Sequence, residues 1–237
     1  MDDPISRRYI ESDYLEHNPE WDMEDSPWKA GKVAAMLKRF AIEPKTICEV
    51  GCGAGGVLGA MKGDFPKADF TGYDIAPDAE KFWGELRDSG VELNVGDFFT
   101  LNSRNYDVIL LLDVLEHVAD PHQFLVKLRP YADHVVIHFP LDLSALSVLR
   151  ETPLLHVRRK VGHIQFFTKG LALELLEECG LEVIDWQYTD AAFSAPQRGL
   201  KTKLFGLLRR LVYILNKDIG ARLLGGETLM VLAKPEC

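Results

Sequence analysis

Three carboxylates in the first half of the chain close short apolar runs, each of a type and spacing that suits one part of a single ligand. Glu49 belongs to the run Thr46-Ile47-Cys48-Glu49-Val50, which leads into Gly51-Cys52-Gly53-Ala54-Gly55-Gly56. A strand that ends in glycines and runs into a helix brings backbone N–H groups and a positive helix N-terminus against a ligand. Glycine is favoured there because a Cβ would block both the tight turn and the ligand's approach. Gly51, Gly53 and Gly56 also satisfy the G-x-G-x-x-G dinucleotide fingerprint, so the glycines alone leave the ligand open. Glu49 tips the balance, because a carboxylate suits a ligand that presents an ammonium group and repels a pyrophosphate. Asp74 follows about 20 residues past the glycines, where a carboxylate accepts from both ribose hydroxyls and disfavours a 2′-phosphate. Asp97, after Val91-Glu92-Leu93-Asn94-Val95-Gly96, is placed to accept from an exocyclic adenine amine while Phe98 packs on the ring.

The elements that must carry these groups alternate strand and helix. The apolar run Tyr106-Asp107-Val108-Ile109-Leu110-Leu111-Leu112 reads as a strand buried on both faces of a parallel sheet. A fifth strand covers 134–139 and stops at Pro140. Helices are expected at about 54–63, 77–88, 121–130 and 168–179, with Pro77 and Pro121 near helix starts, Asp120 as an N-cap and Gly180 as a C-cap. A further helix is expected over 31–40. The runs 181–186 and 227–233 suit a terminal pair of strands. Strand–helix alternation predicts right-handed crossovers and an α/β, Rossmann-like doubly wound sheet, with each polar group at a strand's C-terminal end, where such sheets bind ligands.

With these residues in view, the chain resembles the class I S-adenosylmethionine (SAM)-dependent methyltransferases. Glu49-x-Gly51-x-Gly53-x-Gly55 is similar to their first motif, Asp74 to their ribose acid and Gly96-Asp97 to their adenine-side acid. Asp113-Val114-Leu115-Glu116-His117-Val118-x-Asp120-Pro121 and Gly162-His163-Ile164-Gln165-Phe166-Phe167-Thr168 resemble their small-molecule (ubiquinone-biosynthesis-like, methyltransferase type 11) branch. The resemblance spans residues 46–190 and implies a mostly parallel sheet with a terminal antiparallel hairpin, SAM as methyl donor and S-adenosylhomocysteine as product. It leaves the acceptor open. The cofactor-binding set expected from it and from the chemistry above is Trp28, Lys29, Glu49, Gly51, Cys52, Gly53, Asp74, Ile75, Asp97, Phe98, Asp113 and Val114. Residues 1–44 read as an aromatic cap over the cofactor, with Tyr9, Tyr14, Trp21 and Trp28 excluding water and Lys29 meeting the SAM carboxylate. The competing reading is a helix packed on the sheet edge with Trp28 in the core.

The sulfonium is already an activated electrophile, so the protein has mainly to align the acceptor for in-line attack. A hydroxyl or protonated amine also needs a base, and His163 and His117 are the candidates, with His138 a strand residue that could be satisfied in the core. Asp113, Glu116, His117 and His163 could instead ligate a metal, an arrangement that resembles metal-dependent 2′-O-methyltransferases of small-RNA ends. The same acidic-x-x-Glu-His pattern also occurs in metal-free members, and the expected site holds no metal.

The expected activity is methyl transfer to an O, N or C nucleophile of a small molecule. Its alternatives are a SAM-binding regulatory protein without turnover and the metal-dependent 2′-O-methyltransferase. A formal net charge of −9 over 237 residues argues against a sequence-independent grip on nucleic acid. At 47% hydrophobic residues the chain can bury a full core. The expectation is a cytoplasmic protein with no transmembrane segment and no disulfide framework among Cys48, Cys52, Cys179 and Cys237. Residues 45–237 form the expected methyltransferase domain, with an amphipathic helical insert at about 197–224. Its Leu200, Leu204, Leu207, Leu208, Leu211, Ile214 and Leu215 alternate with Lys and Arg. This pattern fits an acceptor-pocket cap, a homodimer face or a peripheral contact with an anionic membrane.

Overall fold

The computed structural model describes residue 21, residues 23–191 and residues 212–236. Seven strands form one sheet in the order β3-β2-β1-β4-β5-β7-β6. They are β1 (Thr46–Val50), β2 (Asp69–Asp74), β3 (Glu92–Val95), β4 (Tyr106–Leu112), β5 (Ala132–Pro140), β6 (Leu181–Tyr188) and β7 (Thr228–Pro235). The first five are parallel; β7 lies antiparallel between β5 and β6. The expected mostly parallel sheet with a terminal antiparallel pair is therefore present. Strand order reverses between β1 and β4, which opens a crevice at their C-terminal ends.

The central strands need apolar side chains on both faces, and β4 supplies them by alternation. Ile109 and Leu111 join Leu125 and Leu128 of helix α5 (Pro121–Leu128) and Leu176 of α8 (Lys169–Glu178). Val108, Leu110 and Leu112 face the other way, toward Val33 and Leu37 of α1 (Ser26–Arg39) and Leu58 and Met61 of α2 (Gly56–Met61). The sheet is thus a layer between two helical layers.

Local chemistry sets the helix ends. Asp120 caps α5 by accepting from the Gln123 N–H at 2.9 Å, and Gly180 takes φ +69° after α8. The expected helix at 77–88 is two pieces, a 3-10 turn Pro77–Phe82 and α3 (Gly84–Asp88), joined at Trp83. Helix α1 begins at Ser26, earlier than expected, because Pro27 suits the first turn.

Two helices, α6 (Ala145–Arg150) and α7 (Thr152–Lys160), follow β5 where the sequence suggested no element. Both are short, α7 buries no side chain, and Leu149 is 84% exposed, so no apolar period marks them. The signals were the Ser144–Ser147 capping box and Pro153 at the start of α7. Of the amphipathic insert, Leu200, Leu204, Leu207, Leu208 and Leu211 lie outside the described residues, as do Tyr9 and Tyr14 of the N-terminal segment. Helix α9 (Lys217–Leu224) is described, and Ile214 and Leu215 just before it are exposed. Among the described residues no helix is long and apolar enough to cross a membrane.

Trp83 ties this framework to the glycine turn. It is fully buried, and its indole N–H donates to the Gly53 carbonyl at 2.8 Å. Trp83→Ala is expected to cost ~3–5 kcal/mol in urea denaturation, with a further loss of ligand affinity because the turn is no longer held. Trp83→Phe should restore most of the stability and little of that affinity.

Candidate active site

The crevice holds a cavity of about 510 Å³ lined by residues from the C-terminal ends of β1, β2, β3 and β4. The turn after β1 is pinned to β2, since the Gly51 and Cys52 N–H groups both donate to the Tyr73 carbonyl, at 2.8 and 3.1 Å. Gly51 has φ +76°, and a Cβ there would lie 2.7 Å from Val114 Cγ2. Gly53 has φ +50°, and a Cβ there would lie 2.6 Å from the Trp21 indole nitrogen. Only glycine serves at either position.

Three carboxylates, Asp74, Glu49 and Asp113, line the cavity around this turn and the end of β4. Asp74 accepts from the Gly53 N–H at 2.7 Å and from the Ala76 N–H at 2.8 Å, which leaves lone pairs facing the cavity. Burial nevertheless raises its pKa, with those two N–H groups opposing. Glu49 is almost fully buried, and its Oε2 has no hydrogen-bond partner among the described residues. Burial pushes its carboxyl up to about 8; Lys29 opposes the shift, and Asp74 and Asp113 add to it.

Asp113 has φ +56°, an uncommon conformation for a residue with a Cβ. Its Oδ2 pairs with Lys29 Nζ at 2.7 Å and its Oδ1 with His138 Nδ1 at 2.7 Å. Burial works against ionisation, but the neighbouring charges of His138 and Lys29 win and hold Asp113 well below the ordinary carboxylate range. His138 Nε2 meets Thr228 Oγ1 at 2.7 Å, so this histidine is satisfied at both nitrogens within the sheet.

Most of the expected cofactor residues line the cavity together: Lys29, Glu49, Gly51, Cys52, Gly53, Asp74, Ile75, Asp97, Phe98, Asp113 and Val114. Three placements differ from expectation. Trp28 does not line it; its ring stands edge-on to His138 at 6.1 Å, and Trp21 lines the cavity instead. Phe98 presents little of its ring, which is buried against Tyr73 and Tyr131, while Phe99 and Phe124 pair edge-to-face at 5.2 Å in the cavity wall. Asp97 is first of all the N-cap of α4 (Phe98–Leu101), accepting from the Phe99 N–H at 2.7 Å.

A second polar group stands beyond Val114. The 3-10 turn Leu115–His117 carries Glu116 and His117, and His117 lines the cavity. Ring centroids of His117 and His163 are 5.0 Å apart. His163 is buried outside the cavity wall, with Nδ1 2.6 Å from Asp142 Oδ2. The four-residue set of acids and histidines is divided: Glu116, His117 and His163 offer atoms within 4.8 Å of one another, whereas Asp113 is turned away to Lys29 and His138. Asp142, absent from the sequence reading, is the residue that fixes His163; no spacing pattern links the two.

Glycine turn, strand-end acids and strand order together give the α/β architecture of the methyltransferase fold. A family model described as a methyltransferase domain matches residues 28–185, and the chain belongs to that family. A malonyl-[acyl-carrier protein] O-methyltransferase of Anoxybacillus flavithermus (strain DSM 21510 / WK1) is 32% identical over 96 residues, 40% of this chain and 37% of that protein. The chain thus matches little more than a third of that relative's length. Among solved structures, the plantazolicin methyltransferase BpumL, in complex with a substrate analogue and SAH, superposes with a TM-score of 0.65 at 19% identity over 98% of this chain and 94% of its own. A putative methyltransferase in complex with the Haloferax volcanii Trm112 activator gives 0.66 at 16% identity over 98% of both chains. At these identities the two structures share the fold.

Asp113 joins α1, the turn after β4 and β5, so its removal should be felt in stability before chemistry. Asp113→Ala is expected to lower the unfolding free energy by ~3 kcal/mol in urea, since it leaves Lys29 and His138 without their shared partner.

Proposed function

We propose that this enzyme transfers the SAM methyl group to an oxygen, nitrogen or carbon nucleophile of a small molecule that enters beside His117. The observation that carries the reading is a single cavity lined both by the strand-end acids and by His117. The residues fit SAM. The unpartnered Glu49 oxygen suits its ammonium group, the glycine turn leaves room where any Cβ would intrude, and Asp74 keeps acceptor capacity for the ribose hydroxyls. Ile75, Asp97, Phe98 and Phe99 are the walls for the adenine. Lys29, once released from Asp113, reaches the carboxylate end.

When bound, SAM supplies a methyl group on an activated sulfonium. The chain's own task is to align the acceptor, exclude water and ionise the attacking atom. Of the N-terminal segment, the described residues Trp21, Ser26 and Lys29 stand in the cavity wall and support its reading as a cap. His117 faces the cavity, and His163, braced by Asp142, stands behind it. A small acceptor accords with the cavity volume and the acidic chain, and an oxygen nucleophile with the O-methyltransferase name of the curated relative. A cytoplasmic setting accords with the buried free thiols of Cys48, Cys52 and Cys179.

Formation of S-adenosylhomocysteine across a panel of hydroxylated, amino and carboxylic small molecules tests the activity; no turnover with any class would defeat it. His117→Ala should lower turnover ~10²–10⁴-fold while SAM affinity measured by calorimetry stays within about twofold of wild type.

Glu49 adds a pH signature. Its folded pKa of about 8 means that the free enzyme carries a proton there at neutral pH. The ligand's ammonium requires the carboxylate, so SAM binding releases that proton. Affinity should rise with pH through the neutral range and level off only above about pH 8. Calorimetry in buffers of different ionisation enthalpy reads the proton directly. Glu49→Gln should remove the release and weaken binding at pH 8 by about tenfold to a hundredfold.

A further inference from the structure

Glu116 is a side chain that SAM binding does not explain. It is fully buried, and neither carboxylate oxygen has a hydrogen-bond partner among the described residues. An ionised carboxylate left so is costly, and a buried charge is ordinarily paired or bound to a metal. Its main chain is by contrast well held: the Glu116 carbonyl accepts from the Ile164 N–H at 2.8 Å and the Gln165 N–H at 3.0 Å. Those two bonds fasten the His163 loop onto the 3-10 turn, so His163 is brought to Glu116 by backbone geometry.

The surroundings match what a divalent cation requires. Glu116 Oε1 lies 4.0 Å from His117 Nε2, and one ligand atom from each of Glu116, His117 and His163 falls within a 4.8 Å set. Bonds of ~2.0–2.2 Å to a common centre need only a small closing of the three side chains. An independent feature concerns His163. Its Nδ1 is 2.6 Å from Asp142 Oδ2, which fixes Nδ1 as the protonated nitrogen and leaves the Nε2 lone pair for a metal. A carboxylate behind a ligating imidazole is the usual way such a ring is oriented. Asp113 takes no part, being committed to Lys29 and His138.

We propose that Glu116, His117 and His163 bind one first-row divalent cation, Zn²⁺ or Mn²⁺ in chemical type, with Asp142 as the positioning residue for His163. Two imidazoles and one carboxylate suit these ions, and three protein ligands leave coordination positions open. His117 lines the cavity, so the open side is the side from which an acceptor enters. A cation there coordinates an acceptor hydroxyl and lowers its pKa. The hydroxyl proton passes to water, the oxygen forms its bond to the methyl carbon, and the carbon–sulfur bond breaks to give the neutral thioether. This role rests on the acceptor-end reading above; the binding of the ion does not.

The test uses the full-length protein stripped with chelator and then titrated with Zn²⁺ or Mn²⁺ alone, with bound metal also counted by elemental analysis. One ion per chain is expected, with at least tenfold weaker binding in Glu116→Gln and His163→Ala. Asp142→Asn should weaken it about 10- to 100-fold. SAM affinity, measured on the same samples, serves as the check that each variant is folded. Absence of stoichiometric binding by the wild type, or undiminished binding by folded Glu116→Gln, overturns the site. Methyl transfer that persists in chelator also overturns the proposed role while leaving the methyltransferase reading intact. Stoichiometric metal with no transfer to any acceptor would do the reverse.

Discussion

Carboxyl groups crowded into one low-dielectric crevice are the constraint on which the rest of this structure depends. Glu49, Asp74 and Asp113 line one cavity and Glu116 lies buried just beyond it, and each is handled differently. Asp74 is met by backbone N–H groups, and Asp113 by Lys29 and His138. Glu49 and Glu116 keep oxygens without hydrogen-bond partners among the described residues, and burial pushes both carboxyls up, Glu116 with the charges of Asp113 and Asp142 added. A protein that leaves two buried acids uncompensated is built to receive positive charge.

This arrangement explains why the sheet is built as it is. Parallel strands bring their C-terminal ends to one edge, so acids far apart in sequence converge without any long loop. Antiparallel β7 then serves a second purpose. Its first residue, Thr228, holds His138 from below, and His138 holds Asp113, so the terminal strand pair supports the wall of the cavity. The short contact between Thr189 and Thr228 continues the chain of hydroxyls toward β6.

What was legible in the sequence was what is local. A strand followed by glycines, or an acid at a strand's end, announces itself within ten residues, because backbone geometry fixes the side chain's direction. Ile75 and Val114 line the cavity beside the acids that precede them. Trp28 and Phe98 show the limit. Both are large aromatics beside the site, and which way each ring turns is settled by tertiary neighbours: His138 for the one, Tyr73 and Tyr131 for the other. Asp142 was illegible because it meets His163 across α6 and α7, two helices with hardly any apolar face to reveal them.

The acidic-x-x-Glu-His segment carries the sharper lesson. Spacing of one helical turn places Asp113, Glu116 and His117 together, and the sequence reading treated them as one set. The left-handed backbone at Asp113 breaks that set at its first residue. Its carboxylate swings toward α1 and β5, while Glu116 and His117 turn toward the loop that carries His163. One short segment therefore carries an acid anchored to α1 and β5 and, one turn on, a buried acid grouped with His117 and with His163 of the following loop. Strain at a single residue is what keeps them apart, and it is sustained because Lys29 and His138 both hold the Asp113 carboxylate in place.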